Sequence, residues 1–124
     1  TYWKLRRRGA FDFPVLSVAA AARLTAGGVV EEARIVLGSV ASRPMPAPDA
    51  AAFLVGKPLD EEAIREAAIL ASHVAKPMDN TDFALGWRKR VARDLVGHAL
   101  REIRGDDQQR ARARLVRHAL LGVA

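Results

Sequence analysis

The fold of this chain is decided by residues 77–100, which read PMDNTDFALGWRKRVARDLVGHAL. Pro77 ends the preceding element, and three residues with helix-capping side chains follow it, namely Asn80, Thr81 and Asp82. Helically spaced apolar residues then predict a long helix with one apolar face: Phe83, Trp87, Val91, Leu95, Val96, Ala99, Leu100 and Ile103. The opposite, solvated face is assigned Arg88, Lys89, Arg93 and Arg101. A face with Phe and Trp needs a broad apolar partner, which we expect to be a small antiparallel sheet formed by the first half of the chain.

The composition indicates one soluble domain. The chain has 124 residues, half of them apolar, and no cysteine. This length supports a single core. The lack of cysteine excludes disulfides, thiolate zinc sites and iron–sulfur clusters held by this chain. No apolar run approaches the roughly 20 residues of a membrane span, and the N-terminus has no signal-peptide pattern. We therefore expect a cytoplasmic protein that does not contact a membrane.

The net charge of +6 is unevenly distributed. Residues 4–8 and 87–124 are basic, whereas residues 59–86 are acidic. Basic stretches attract polyanions, which include nucleic acid, the phosphates of a cofactor and an acidic partner subunit. A solvated helix face explains the C-terminal charges equally well.

The first half of the chain predicts a β-hairpin. Residues 15–25 and 29–40 are two largely apolar runs on either side of Gly27 and Gly28, which is typical of a hairpin. The four alanines at 19–22 favour a helix by propensity, but we predict strand for both runs. Prolines 44, 46 and 48 predict an extended segment, at most a short edge strand. Residues 2–4 resemble an extended lead-in strand.

The second half predicts helices. Asp49 is expected to cap a short helix at residues 50–55, which Gly56 stops. Asp60 is expected to cap a second helix with the apolar stripe Ile64, Ala67, Ala68, Ala71 and Val74. Gly105 ends the long helix. Residues 108–123 predict a last, arginine-rich amphipathic helix that docks weakly or serves a partner.

The residues themselves indicate no catalytic and no metal site. Each histidine stands alone on a predicted helix, without a second ligand at metal spacing: His73, His98 and His118. The serines lack the context of an activated nucleophile, and helix capping explains Asp79 and Asp82. There is no dinucleotide fingerprint and no P-loop. The basic cluster at residues 4–8 remains the candidate for binding an anionic group, with a solubilising linker as the alternative.

An ordered series of motifs resembles one known family. The motifs are YWKLRRR at residues 2–8, FDFP at 11–14, VEEARIVLGSVASRP at 30–44, VGKPL at 55–59, DNTD at 79–82 and WRKR at 87–90. Together they are similar to the C-terminal domain of the FAD-binding medium subunit in the carbon monoxide dehydrogenase and xanthine dehydrogenase family of molybdenum hydroxylases. The resemblance extends from about Tyr2 to Leu100.

This resemblance implies an α+β fold in which a small antiparallel sheet of about three strands packs against a layer of helices. It implies a domain at residues 1–104. The basic amphipathic helical tail at 105–124 lies beyond the part that resembles the family and is predicted from its sequence pattern alone. The parent enzyme would be an electron-transfer flavoprotein. Its large subunit carries molybdenum and oxidises the substrate, and its small subunit carries iron–sulfur clusters. FAD would be held mainly by a preceding domain that this sequence does not contain, so this chain is expected to be non-catalytic.

The resemblance also implies one cofactor-binding residue, Lys4. In relatives a lysine lies near the isoalloxazine ring, eight residues before the aspartate that enters the first strand, and Lys4 has this relation to Asp12. A lysine there stabilises negative charge on reduced flavin. The expected function is an accessory domain that walls the flavin and docks partner subunits. The alternative is a small basic nucleic-acid-binding or oligomerisation domain, although the chain lacks a recognition motif and its middle is acidic.

Overall fold

The centre of the fold is an antiparallel sheet with the strand order β1-β2-β3-β4. The computed structural model describes residues 1–6, 14–76 and 85–121. Within them the strands are β1 Tyr2–Arg6, β2 Pro14–Leu24, β3 Val30–Gly38 and β4 Met45–Pro46. The predicted hairpin is confirmed as β2 and β3. The lead-in segment pairs along β2 as a full strand, so the described sheet has four strands instead of about three.

The alanines of β2 show why packing overrides helix propensity here. Ala20 is buried against the helices, while Ala19 and Ala21 are exposed on the other face. A strand whose inner side chains are small lets the helices approach closely. The hairpin turn follows at Gly28, whose φ of 81° is a conformation that glycine adopts without strain.

Four helices are described, close to the predicted positions: α1 Pro48–Leu54, α2 Glu61–Ser72, α3 Leu85–Arg104 and α4 Gln109–Leu121. The predicted cap of α2 is confirmed, because Asp60 Oδ1 accepts a hydrogen bond from the Ala63 amide at 2.8 Å. The predicted cap of α1 is wrong. Ala47 occupies that position, and Asp49 lies within the first turn after Pro48, a residue suited to starting a helix. The predicted caps Asn80, Thr81 and Asp82 lie outside the described residues.

The core lies between the inner face of the sheet and the helices. Its largest fully buried side chains are Trp3, Leu16, Val18, Val30, Leu37, Val40, Leu54, Ile64, Leu95, Val96 and Leu100. The predicted apolar face of α3 is confirmed for its described residues, with Trp87, Val91 and Ile103 partly buried at its margins, whereas Phe83 lies outside the described residues. None of the helices in the described part of the chain is long and apolar enough to cross a membrane.

Arg88 corrects the predicted polar face of α3, because its side chain is only 5% exposed. It precedes the buried Ala92 by four residues and Leu95 by seven, so helical spacing places it on the apolar side. Its Nη2 donates to the carbonyl oxygens of Val15 at 2.9 Å and Ser39 at 2.7 Å. Burial lowers the pKa of Arg88. The guanidinium ties the start of α3 to the ends of β2 and β3.

We predict that Arg88→Met lowers the free energy of unfolding by about 2–3 kcal/mol, because both carbonyl groups lose a charged donor. The desolvation that methionine avoids offsets part of this loss. Urea unfolding of the chain measures the change. Lys89→Met, at the exposed neighbouring position, serves as the control and should stay within about 0.5 kcal/mol of the wild type. Equal stability of the wild type and Arg88→Met would show that the two hydrogen bonds do not stabilise the fold.

Candidate functional site

Lys4 lies within the edge strand β1 and faces away from the core. Its neighbours Trp3 and Leu5 are buried on the inner side, so strand alternation directs the Lys4 side chain to the outer face. Lys4 lies opposite Ser17 in β2, and Ser17 lies opposite Gly38 in β3. These three residues form one row across the sheet, which we call the Lys4 row.

The Lys4 row has space only for a glycine at its third position. A Cβ atom at Gly38 would lie 2.2 Å from Oγ of Ser17, far inside van der Waals contact. The adjacent row carries Tyr2, which is 53% exposed, and the exposed Ala19. The outer face beside Lys4 therefore carries small side chains and one exposed aromatic ring, although Ser17 itself is only 7% exposed.

Positive charge without an ion-pair partner lies at the Lys4 end of the described outer face. Neither Lys4 nor Arg6 has an ion-pair partner among the described residues. At the hairpin end, by contrast, the charges compensate one another. Arg23 pairs with Glu31 at 3.0 Å and with Glu32 at 3.4 Å. A positive potential next to an uncharged surface suits an anionic or electron-rich flat group.

The inner side of β1 is anchored by the Trp3 ring, which is fully buried. The His98 ring of α3 stacks on it, with a centroid distance of 5.2 Å and an interplanar angle of 16°. The Arg112 guanidinium of α4 lies 4.0 Å from its centroid, within cation–π range. His98 Nδ1 is in turn 2.8 Å from Oε1 of Gln108, at the start of α4. The strand that carries Lys4 is thus held by side chains from two helices.

Arg112 also forms a two-pronged ion pair with Glu102 of α3. Nη2 of Arg112 lies 2.7 Å from Glu102 Oε1, and Nε lies 3.1 Å from Oε2. The hydrogen bonds from Arg112 lower the pKa of Glu102 below its ordinary value. Since both side chains are partly exposed, the stabilisation that this ion pair provides depends on its two-pronged geometry more than on burial.

In the part of the chain that the structure describes, the other candidate positions are not brought together. A groove of about 550 Å³ lies between α2 and α3, but Glu61 at its edge is engaged by Arg101 at 3.0 Å and Arg104 at 2.7 Å. Among the described residues, no group of three or more histidines and carboxylates is placed to hold a metal ion. His73 is exposed, and the side chain of His118 lies outside the described residues.

Two functional features were not predicted from the sequence. The partners of Lys4 in its row, Ser17 and Gly38, follow only from the strand register. Arg112 was expected on a weakly docked tail, yet it contacts the Trp3 ring. The apolar alternation of Trp3 and Leu5 around Lys4 was the available signal that β1 belongs to the sheet.

The fold and the Lys4 row define a class of protein: a small α+β domain whose helices cover one sheet face and whose other face presents a lysine. The family of CO dehydrogenase flavoprotein C-terminal domains matches residues 1–103. The chain belongs to this family. The match ends before α4 begins. Among curated protein sequences, none matches the chain.

Solved structures show the same fold. A cyanide-inactivated Cu,Mo-CO dehydrogenase is 28% identical with a TM-score of 0.77. Quinoline 2-oxidoreductase from Pseudomonas putida 86 is 29% identical with a TM-score of 0.76. The carbon monoxide dehydrogenase of Hydrogenophaga pseudoflava that lacks the Mo-pyranopterin moiety of its cofactor is 30% identical with a TM-score of 0.77. Each match covers 84% of this chain and 36% of the other chain, so this chain spans about a third of their length.

We predict that Gly38→Ala destabilises the fold by about 1–3 kcal/mol, because the new methyl group overlaps the Ser17 hydroxyl. The double variant Ser17→Ala/Gly38→Ala should recover most of this loss, since Cβ of Ser17 is 3.6 Å away, at ordinary contact distance. Urea unfolding measures both variants. Gly27→Ala, whose new methyl group meets Thr25 Oγ1 at 3.8 Å, serves as the steric control. Additive effects at positions 17 and 38 would contradict the predicted overlap.

The Glu102–Arg112 pair predicts a pH dependence. The pKa of Glu102 in the folded chain is lowered from its ordinary value of 4.5, so its stabilisation is complete above that value and is lost as the pH falls through the lowered pKa. The urea midpoint of Glu102→Gln should therefore differ most from the wild type above pH 4.5 and converge with it in acid. When Arg112 is replaced by alanine in both proteins, the difference in urea midpoint caused by Glu102→Gln should depend less on pH. A difference that stays constant with pH would disprove this linkage.

Proposed function

We propose that this chain is the C-terminal domain of the FAD-binding medium subunit of a molybdenum-hydroxylase-type oxidoreductase of the cytoplasm. The domain walls the flavin and docks partner subunits, while electrons pass from a molybdenum-containing subunit through an iron–sulfur subunit to the flavin and onward to an acceptor. FAD is held mainly by a preceding domain, and substrate oxidation takes place on another chain. The observation that carries this proposal is the family match over residues 1–103.

Lys4 is the residue of this chain that we assign to the flavin. FAD supplies the electron exchange, and the isoalloxazine ring becomes more negative when it is reduced. An ammonium group beside the ring stabilises that charge and raises the reduction potential. The fit is supported by the Lys4 row, because Ser17 and Gly38 place only small side chains next to the lysine. The absence of an ion-pair partner for Lys4 among the described residues leaves its charge available for the ring.

The distribution of the arginines bears on the alternative of a nucleic-acid-binding domain. In the described parts of α3 and α4, Arg101, Arg104 and Arg112 pair with carboxylates of the chain itself. These three arginines, together with the buried Arg88, therefore help to hold the domain together. This favours an assembled flavoprotein over a nucleic-acid-binding domain, whose basic side chains must face the phosphates.

The test uses the parent subunit, which contains this chain together with the preceding domain. We expect it to show flavin absorbance in the visible range, whereas the 124-residue chain alone binds FAD weakly. In the flavin-loaded subunit, Lys4→Gln should lower the flavin reduction potential by about 30 mV, which corresponds to about 1.4 kcal/mol for a two-electron couple.

Lys4→Arg keeps the charge and should retain a potential near that of the wild type. Lys89→Gln removes a charge from an exposed position of α3 and serves as the control. A parent subunit that stays colourless after addition of FAD would refute the flavoprotein assignment. A coloured subunit whose potential is unchanged by Lys4→Gln would refute only the role of Lys4.

A further inference from the structure

Helix α4 lies beyond the family match, yet it packs onto the domain. Ala111 is 8% exposed, and Leu115 is partly buried against the core. On the side facing the sheet, α4 presents Arg112 to the first strand. The basic helical tail predicted from the sequence is thus in direct contact with the strand that carries Lys4.

Arg112 reaches the free edge of β1. Thr1 and Ala20 exchange backbone hydrogen bonds at 2.7 and 2.9 Å, so in an antiparallel ladder the next residue, Tyr2, directs its amide and carbonyl groups away from β2. Both Nη atoms of Arg112 lie 3.3 Å from this outward-facing carbonyl oxygen. Arg112 therefore holds β1 from the side that no strand pairs with in the described sheet.

This support is placed where β1 is otherwise weakest. Edge strands have a neighbour on one side only and open more readily than central strands. The regular pairing of β1 also breaks between Leu5 and Arg6, one residue beyond Lys4. Before this break, Lys4 lies between two inward anchors, Trp3 and Leu5, and the Trp3 ring contacts Arg112 at 4.0 Å.

We propose that Arg112 is a positioning residue for Lys4. Arg112 binds the Trp3 ring and the Tyr2 carbonyl group, and the ion pair with Glu102 fixes the orientation of the Arg112 side chain. These contacts keep β1 packed on the domain and hold the backbone of Lys4 in one position. This proposal rests on the proposed function for the contact between Lys4 and the flavin. It gives α4, the helix outside the family match, a role at the cofactor. Helix α4 packs against the inner side of β1, and Lys4 lies on the outer side of the same strand.

The first test measures amide hydrogen exchange in the parent subunit, with Arg112→Gln compared with the wild type. Exchange in the segment of residues 1–6 should become about fivefold to tenfold faster, because a cation–π contact and an ion pair are lost together. Exchange in β3 should not change. Arg114→Gln, an exposed position on the same helix, is the matched control and should leave both segments unchanged. Unchanged exchange at residues 1–6 in Arg112→Gln would overturn the proposal.

The second test measures the flavin reduction potential. Arg112→Gln should shift it in the same direction as Lys4→Gln, and the two changes should not add in the double variant. Arg112→Lys retains the charge but loses the two-pronged bond to Glu102, so positioning predicts a shift for this variant too, whereas a direct electrostatic effect predicts none.

These outcomes separate the two proposals. Faster exchange at residues 1–6 with a wild-type potential in both Arg112 variants would overturn the positioning of Lys4 and leave the flavoprotein assignment intact. A Lys4→Gln variant with a wild-type potential would instead overturn the flavin contact, and the positioning of Lys4 toward the flavin would fall with it. Faster exchange would in that case still establish that Arg112 holds β1.

Discussion

The structure depends on the burial of only one face of its sheet. Trp3, Val18 and Leu37 lie opposite one another on the inner face and are fully buried under the helices. Because side chains alternate along a strand, this burial fixes which residues face outward. A slip of one residue in β1 would turn Trp3 to the solvent and Lys4 into the core. The packing of the core therefore determines the face on which the lysine lies.

The sequence predicted most of the local structure and little of the long-range structure. Gly27 and Gly28 between two apolar runs were sufficient to predict the hairpin, and Asp60 predicted the start of α2. Asp49 failed because Pro48 can itself begin a helix, which shifts the cap to Ala47. Arg88 failed because it was assigned by residue type, whereas its spacing from Ala92 and Leu95 already placed it on the buried side of α3.

The site was predictable only in part, for a physical reason. Lys4 was predicted as a cofactor-binding residue through a resemblance of motifs, and the alternation of side chains around it gives the face on which it lies. Its neighbours in the row depend on pairing between three strands, which the local pattern does not encode. The contact between Arg112 and the Tyr2 carbonyl joins residues 110 positions apart. No periodicity within α4 indicates which strand lies beneath it, so this contact becomes visible only in the folded chain.

The structure shows that several basic side chains of this chain bind groups of the chain itself. A net charge of +6 first suggests a polyanionic partner. Yet Arg88 is buried on backbone carbonyls, and Arg104 and Arg112 each combine an ion pair with a hydrogen bond to a backbone carbonyl group. Arginine suits this use because its planar fork binds two acceptors at once and its apolar faces pack on aromatic rings. Arg88 and Arg112 thus join helices to the sheet, and Arg104 joins the end of α3 to the start of α2. Lys4, by contrast, has no ion-pair partner among the described residues.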